Sequence, residues 1–347
     1  MIDHNFYMQR AFDLARSGKG SVSPNPMVGC VIVHEGKIIG EGYHREYGGP
    51  HAEVNAIASV SNKALLSASD VYVSLEPCSH YGKTPPCADL LIRHKVKRVI
   101  LANPDPNPLV SGNGVKKLQE AGIEVLSGTG TEAGERLNKR FFTFMRKHRP
   151  YIILKWAETA DGFVARENYD SKWISNSYSR QLVHKWRAEE DAIMVGTNTA
   201  RYDDPKLNVR NWYGKNPLRI VVDNKLSLSD ELQLFSDGQP TICYNLKRNK
   251  RQRATEYVQL PAENYLTLLT KDLYNRKIQS LIVEGGTALL HSFIEENLWD
   301  EARIFRSKTT FGSGIASPAK ALFIQHKTQP QNTMDVHGDT LITILNK

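Results

Sequence analysis

Three short runs in the first third of the chain carry residue types that bind metal: Pro50-His51-Ala52-Glu53, Glu76-Pro77-Cys78 and Pro85-Pro86-Cys87. One imidazole and two thiolates form a zinc ligand set that leaves the fourth tetrahedral position to water. Zinc lowers the pKa of such a water until hydroxide is available near neutral pH. Glu53, two residues after His51, is placed to shuttle protons and not to bind the ion. Each cysteine follows a proline, and His51 and Cys87 stand at expected helix starts. Proline is preorganised for the first helical position, and the positive helix end favours thiolate over thiol. Taken singly these runs are weak: His-Ala-Glu is common, and a cysteine behind proline can be an ordinary helix start. In this order, each after a strand, they point to a zinc-activated hydrolytic centre. His80, between the cysteines, is not counted as a ligand. Cys30 and Cys243 lie inside apolar strand patterns and read as core.

These residues need a scaffold, and the pattern around them is layered α/β. Phe6 to Arg16 has helical spacing, with Phe6, Ala11, Leu14 and Ala15 expected on one face. Val28 to Val33 reads as a buried strand, and Lys37 to Gly40 returns after a Glu35-Gly36 hairpin turn. A helix is expected from Ala52 to Val60, a strand over Val71–Leu75 and a helix from Cys87. A strand over Arg98–Leu101, a helix near Gly114–Ala121 and a strand at Ile123–Val125 complete the first half. Glu135 to Arg149 reads as one helix with a packed cluster of Phe141, Phe142 and Phe144. Pro150 marks a boundary, giving expected domains over 1–147 and 148–347. The second half repeats the alternation, with strands at Tyr151–Leu154, Ala192–Val195, Leu218–Val222 and Ser280–Val283.

At 347 residues, two cores are the natural expectation. The formal charge of +8 comes from scattered basic residues, which suits small phosphorylated ligands better than nucleic acid. Lys247 to Arg251 reads as a solvated loop. No segment has the length of a membrane span, and the N-terminus lacks the order of a signal peptide. With four dispersed cysteines, no disulfide framework is indicated, and the expected location is cytoplasmic.

The His-x-Glu and cysteine pattern is that of zinc deaminases, with one departure: eight residues separate Cys78 from Cys87 where two are usual. That loop, Pro77-Cys78-Ser79-His80-Tyr81-Gly82-Lys83-Thr84-Pro85-Pro86-Cys87, closely resembles the diaminohydroxyphosphoribosylaminopyrimidine deaminases of riboflavin synthesis. Ser23-Pro24-Asn25-Pro26-Met27-Val28-Gly29, Gly42-Tyr43-His44 and Asp105-Pro106-Asn107-Pro108 share the resemblance. It implies a cytidine-deaminase-like three-layer domain in which Asn25 and His44 hold the pyrimidine. Lys83 and the segment from Asp105 to Asn107 would line the ribose-phosphate side. Without the resemblance, Asn25 between two prolines reads as a turn. A nucleoside or tRNA-base deaminase with an accessory domain is the alternative, disfavoured by the long loop between the cysteines.

The second half lacks a Gly-x-Gly-x-x-Gly fingerprint. Gly128-Thr129-Gly130 and Gly312-Ser313-Gly314 read as loops. Leu281 to Leu290 is more informative, because a strand runs into Gly285-Gly286 and then a helix, a turn whose N–H groups suit a phosphate. The half resembles the riboflavin-pathway reductases, which implies a dihydrofolate-reductase-like fold. The resemblance is carried by Leu154-Lys155-Trp156-Ala157, Asp161-Gly162, Ser171-Lys172-Trp173-Ile174-Ser175, Arg187-Ala188, Val195-Gly196-Thr197-Asn198-Thr199, the run from Asp203 to Arg210, and Glu284-Gly285-Gly286. It implies NADPH contacts at Ala157, Trp173, Thr199, Asp203 and Gly286. Substrate contacts would fall at Ser171, Arg187, Leu207, Arg210 and Glu284, with Lys155 an electrostatic or proton-relay participant. The guanidinium groups of Arg187 and Arg210 suit a phosphate. The implied whole is a two-activity enzyme acting on a phosphorylated pyrimidine with zinc and NADPH, expected as a homodimer or higher homo-oligomer without nucleic-acid or membrane partners.

Overall fold

Glu35 and Gly36 have φ of 47° and 75°, as the tight turn of a hairpin requires, because left-handed backbone at both positions matches strand twist. The computed structural model describes residues 3–81, 85–107, 111–172, 174–325 and 330–346. Lys83 and Trp173 therefore lie outside the described residues. The chain divides into two units, Met1–His148 and Arg149–Lys347.

In the first unit the order is α1 (His4–Arg16), β1 (Gly29–His34), β2 (Lys37–Tyr43), α2 (Ala52–Ser59), β3 (Asp70–Val73), α3 (Cys87–Arg93), β4 (Arg98–Leu101), α4 (Asn113–Glu120), β5 (Glu124–Ser127), α5 (Thr131–Leu137) and α6 (Lys139–Lys147). The sheet order is β2-β1-β3-β4-β5, antiparallel around β1 and parallel from β3 to β5. Alternation along β1 makes the layers. Cys30 and Ile32 enter one core with Ala52, Ala56 and Leu91, while Val31 and Val33 enter another with Met8 and Phe12.

Two sequence expectations need correction here. The buried face of α1 is Met8, Ala11, Phe12 and Ala15, and Phe6 is 62% exposed. Two residues before Met8, Phe6 sits about 200° around the helix, away from the sheet. The helix expected over 135–149 is two helices, broken at Asn138. The Asn138 amide accepts from the Met27 N–H and donates to the Met27 carbonyl, both at 2.8 Å in a buried setting. Satisfying two buried backbone groups is worth more than one more helical residue. The phenylalanine cluster is buried as expected, with Phe141 and Phe142 packed on Leu75.

The second unit runs β6 (Tyr151–Glu158), β7 (Phe163–Ala165), α7 (Ser177–Glu189), β8 (Ala192–Gly196), α8 (Thr197–Asp203), β9 (Leu218–Val222), α9 (Gln233–Ser236), β10 (Thr241–Asn245), β11 (Lys250–Gln252), β12 (Thr255–Gln259), α10 (Tyr265–Asn275), β13 (Ser280–Glu284), α11 (Thr287–Glu295), β14 (Glu301–Arg306), β15 (Ile315–Ala316), β16 (Asn332–Val336) and β17 (Asp339–Leu345). Ten strands form one sheet in the order β11-β12-β10-β9-β8-β13-β6-β14-β17-β16, and β7 pairs with β15. The central strands are parallel and apolar on both faces, as parallel sheets covered on both sides must be. Ile152, Met194, Ile220 and Leu281 fill one core, and Ile153, Ile193, Val221, Cys243 and Ile282 fill the other. The basic run at Lys247 is exposed as expected, although Lys250 and Arg251 belong to an edge strand and not to a loop. No helix among the described residues is long and apolar enough to cross a membrane.

Candidate active sites

His51 is the N-cap of α2 and Cys87 the first residue of α3, so two helix starts bring their side chains together. Cys78 Sγ lies 3.5 Å and Cys87 Sγ 3.3 Å from His51 Nδ1, and the three donor atoms fall within 4.8 Å of one another. Donors around a tetrahedral zinc, at about 2.3 Å for sulfur and about 2.0 Å for nitrogen, are separated by about 3.6 Å. The cluster fits that ion. Its electrostatics fit too. A hydrogen bond from the Cys87 thiol, then one from His51, draws Cys78 down to about 4, while the same contact with Cys78 and burial push Cys87 up. A divalent cation lets both thiols ionise together. The Cys87 backbone N–H also donates to Cys78 Sγ at 3.3 Å.

Glu53 follows in the first turn of α2 and is 3% exposed. Burial, then the neighbouring Cys78, raises its pKa, the direction that suits a carboxylate exchanging protons with a substrate. A cavity of about 290 Å³ is lined by Glu53, His51 and Cys78 together with Asn25, His44, Asp105 and Asn107, and Cys87 is buried behind them. His44 Nδ1 lies 3.0 Å from the Pro50 carbonyl and Nε2 lies 3.1 Å from Asn25 Nδ2. A carbonyl only accepts, so Nδ1 carries the proton and Nε2 accepts from the amide. Burial lowers the pKa of His44 and keeps it in this neutral form. Asp105 is pushed up to about 6 by burial, against a hydrogen bond from the Asn107 N–H at 2.8 Å. His80 lines the cavity without joining the donor cluster.

Glu76 has a role the sequence reading did not assign. Its buried carboxylate accepts from the N–H groups of Asp105, Gly112, Gly114 and Val115 at 3.0–3.3 Å. It thereby holds the start of α4 and the segment that carries Asp105. A carboxylate beside Pro77-Cys78 was the one available signal, but its backbone partners leave no trace in residue type.

In the second unit, β6, α7 and β13 bring Lys155, Arg187 and Glu284 together. Arg187 grips the Glu284 carboxylate with two N–H groups at 3.1 and 2.8 Å, and Lys155 Nζ lies at 3.8 Å. Burial pushes Glu284 up, but the charges of Arg187 and Lys155 overcome it and bring the group to about 2. Burial lowers the pKa of Lys155 against the pull of Glu284. Arg187 also donates to the Asn208 carbonyl at 3.3 Å, and Arg210 donates to the Asn208 side chain at 2.5 Å. His184, one helical turn before Arg187, was missed by the sequence reading. Its Nδ1 accepts from the Arg210 N–H at 3.3 Å. Burial and the charges of Arg187 and Arg210 draw His184 down to about 4.

Ser171 donates to Asp203 at 3.3 Å, and local desolvation raises the pKa of Asp203 against that bond. Gly285 and Gly286, with φ of 70° and 73°, pass against Thr199. A Cβ on them would come within 3.0 and 3.1 Å of its side chain. Ala157 lies two residues beyond Lys155 on β6 and so on the same face of that strand. Leu207 is 2% exposed with its side chain in the core beside Ile153 and Val195. It can offer a ligand its backbone, which has φ of 51°.

Residues 1–103 match the family model described as cytidine and deoxycytidylate deaminase zinc-binding region, and residues 150–337 match the one described as RibD C-terminal domain. Riboflavin biosynthesis protein RibD of Aquifex aeolicus is 43% identical over 322 residues, covering 91% of this chain and 89% of that protein. The chain belongs to the RibD family. RibD of Escherichia coli is 36% identical across 90% of the chain and 89% of its own length. A crystal structure from Thermotoga maritima, a diaminohydroxyphosphoribosylaminopyrimidine deaminase/5-amino-6-(5-phosphoribosylamino)uracil reductase, has a TM-score of 0.91 at 36% identity and 99% coverage of both chains. Acinetobacter baumannii RibD gives 0.91 at 33% identity, again over 99% of each chain. This RibD-family chain is thus a bifunctional enzyme of riboflavin biosynthesis, with an N-terminal zinc-binding deaminase domain and a C-terminal reductase domain.

Proposed function

We propose that residues 1–147 hydrolyse the C2 amino group of 2,5-diamino-6-ribosylamino-4(3H)-pyrimidinone 5′-phosphate, and that residues 148–347 then reduce the ribosyl side chain to ribityl with NADPH. The observation that carries this reading is the meeting of His51, Cys78 and Cys87, with His51, Cys78 and the buried Glu53 lining one cavity. These three residues would hold zinc, which supplies a water of near-neutral pKa. Glu53 takes a proton at its carboxylate and delivers one to the departing amino group. Asn25, its Nδ2 held on His44, leaves Oδ1 to accept from a ring N–H or exocyclic amine. Asp105 and Asn107 face the ribose.

In the second site Arg187 and Arg210 take the substrate phosphate, a role for which guanidinium forks are suited. Glu284, Ser171 and the Leu207 backbone complete the substrate contacts. Ala157, Thr199, Asp203 and the Gly286 turn face NADPH, which supplies the hydride. The sugar must open before hydride can reach its first carbon, and Lys155 provides charge or a proton there. A cytoplasmic homodimer is the assembly we assign, since closed symmetric pairing is the common state of soluble oligomers.

The test is a paired assay on the purified protein, following ammonia release and NADPH absorbance with the diaminopyrimidine phosphate. Ammonia without cofactor, followed by NADPH oxidation on its addition, supports both halves and their order. Ammonia alone overturns the reductase assignment. Neither signal from zinc-loaded protein overturns the whole reading.

A further inference from the structure

The winding of the parallel sheet reverses between β8 and β13. From β8 the chain moves outward through β9 and β10, while β13, β6 and β14 lie on the other side. In open α/β sheets, ligands lie outside the carboxyl ends of the strands at such a switch. Lys155 and Glu284 stand on the β6–β13 side of it, and Gly285 and Gly286 stand at the switch itself against Thr199. A dinucleotide whose nicotinamide meets the Lys155–Glu284 side and whose pyrophosphate meets the glycine turn sends its adenosine along the carboxyl end of β9.

A site selective for NADH offers a free carboxylate there to the ribose 2′-hydroxyl. Asp223 occupies the place but is not free. It is 2% exposed and accepts from the Leu228 N–H at 2.9 Å and from Ser227 Oγ at 3.2 Å. Because Ser227 gives its proton to Asp223, its oxygen is oriented to accept, and Arg201 Nη2 donates to it at 2.8 Å. Arg201 also reaches Asn198 Oδ1 at 3.4 Å. Both of these partners are neutral, so the guanidinium keeps its charge and its remaining N–H groups at the exposed edge of α8.

We propose that Arg201, held in place by Ser227 and Asp223, binds the 2′-phosphate of NADPH and sets the preference of the reductase for NADPH over NADH. A guanidinium pairs with a phosphate through two parallel N–H donors, a geometry that a 2′-hydroxyl cannot reward. The inference rests on the reading of the β8–β13 crevice as the NADPH site.

Isothermal titration of the full-length zinc-loaded protein with 2′,5′-ADP and with 5′-AMP tests it. Arg201→Gln should weaken 2′,5′-ADP binding about tenfold or more, as loss of a charge-assisted hydrogen bond does, with 5′-AMP changed by less than about twofold. Ser227→Ala should shift the same ratio by a smaller factor, because it loosens the arginine without removing it. The KM for NADPH should rise in Arg201→Gln while that for NADH stays. Equal effects on the two nucleotides, or no effect on either, overturn the proposal. So does the discrimination following Lys225→Gln instead. If wild-type protein binds neither 2′,5′-ADP nor NADP⁺, it is the crevice reading that fails.

Discussion

Replacing Glu284 by Gln keeps the shape of the side chain and removes the charge that Arg187 and Lys155 share. The carboxyl sits at about 2 in the folded protein against an ordinary 4.5. At about 1.4 kcal/mol per pH unit, that difference amounts to about 3 kcal/mol of stability at neutral pH. Its side chain is only 9% exposed, so screening by solvent takes little of this away. Removing one partner of a buried ion pair costs about 3–5 kcal/mol by independent experience, and the two figures agree. The sign follows from the lowered pKa: the contribution is complete above pH 4.5 and is lost as pH falls toward 2. Tryptophan emission isolates the effect. Trp156, Trp173, Trp186, Trp212 and Trp299 are the five tryptophans of the chain, and all lie in the second unit. Urea unfolding followed at the tryptophans should show wild type and Glu284→Gln separated by about 3 kcal/mol at pH 7, with the gap narrowing below pH 4.5. A gap under about 1 kcal/mol, or one that does not change with pH, would refute the charge cluster as described.

Three further outcomes are expected. Glu53→Gln should lower ammonia release by about 10²–10⁴-fold, the usual scale of a lost general acid–base, while reduction of supplied deaminated intermediate persists; loss of both activities in folded, zinc-loaded protein counts against separate sites. Cys87→Ala should purify with substoichiometric zinc by elemental analysis and without deamination, and retention of full zinc would remove Cys87 from the ligand set. Because Asp105 titrates at about 6, KM for deamination should fall as pH rises through that value and its carboxylate ionises. Asp105→Asn should flatten this limb, and an unchanged profile would mean that another group produces it.

What could be read from the sequence divides along a physical line. His51, Cys78 and Cys87 were legible because proline and helix-start patterns mark where each stands, and because their residue types are rare and chemically specific. Glu284 and Arg187 are 97 residues apart in sequence, and neither neighbourhood marks the other. Family resemblance named them, whereas periodicity placed only the strand and helix that hold them. Asn138 was illegible for a different reason. In a run of helical pattern its amide looks like any polar residue, yet its partner is the Met27 backbone, 111 residues away. Glu76 is the same case, since its acceptor role is set by four backbone N–H groups whose positions depend on the finished fold.

Leu207 carries the argument furthest. The resemblance set it among substrate contacts, and the structure buries its side chain in the core while leaving its backbone in the left-handed region at φ 51°. A leucine adopts that conformation at a cost of about 1 kcal/mol, which core burial of the side chain offsets at about 2 kcal/mol. The neighbouring Lys206 carbonyl accepts from Arg219 at 3.3 Å, and Arg219 is itself buried and paired with Asp237. The segment that presents Asn208 and Arg210 is therefore anchored from below by a hydrophobic side chain and a buried guanidinium. The residues that hold this segment lie in the core and carry no reactive chemistry, and such residues cannot be found by looking for chemistry in the sequence.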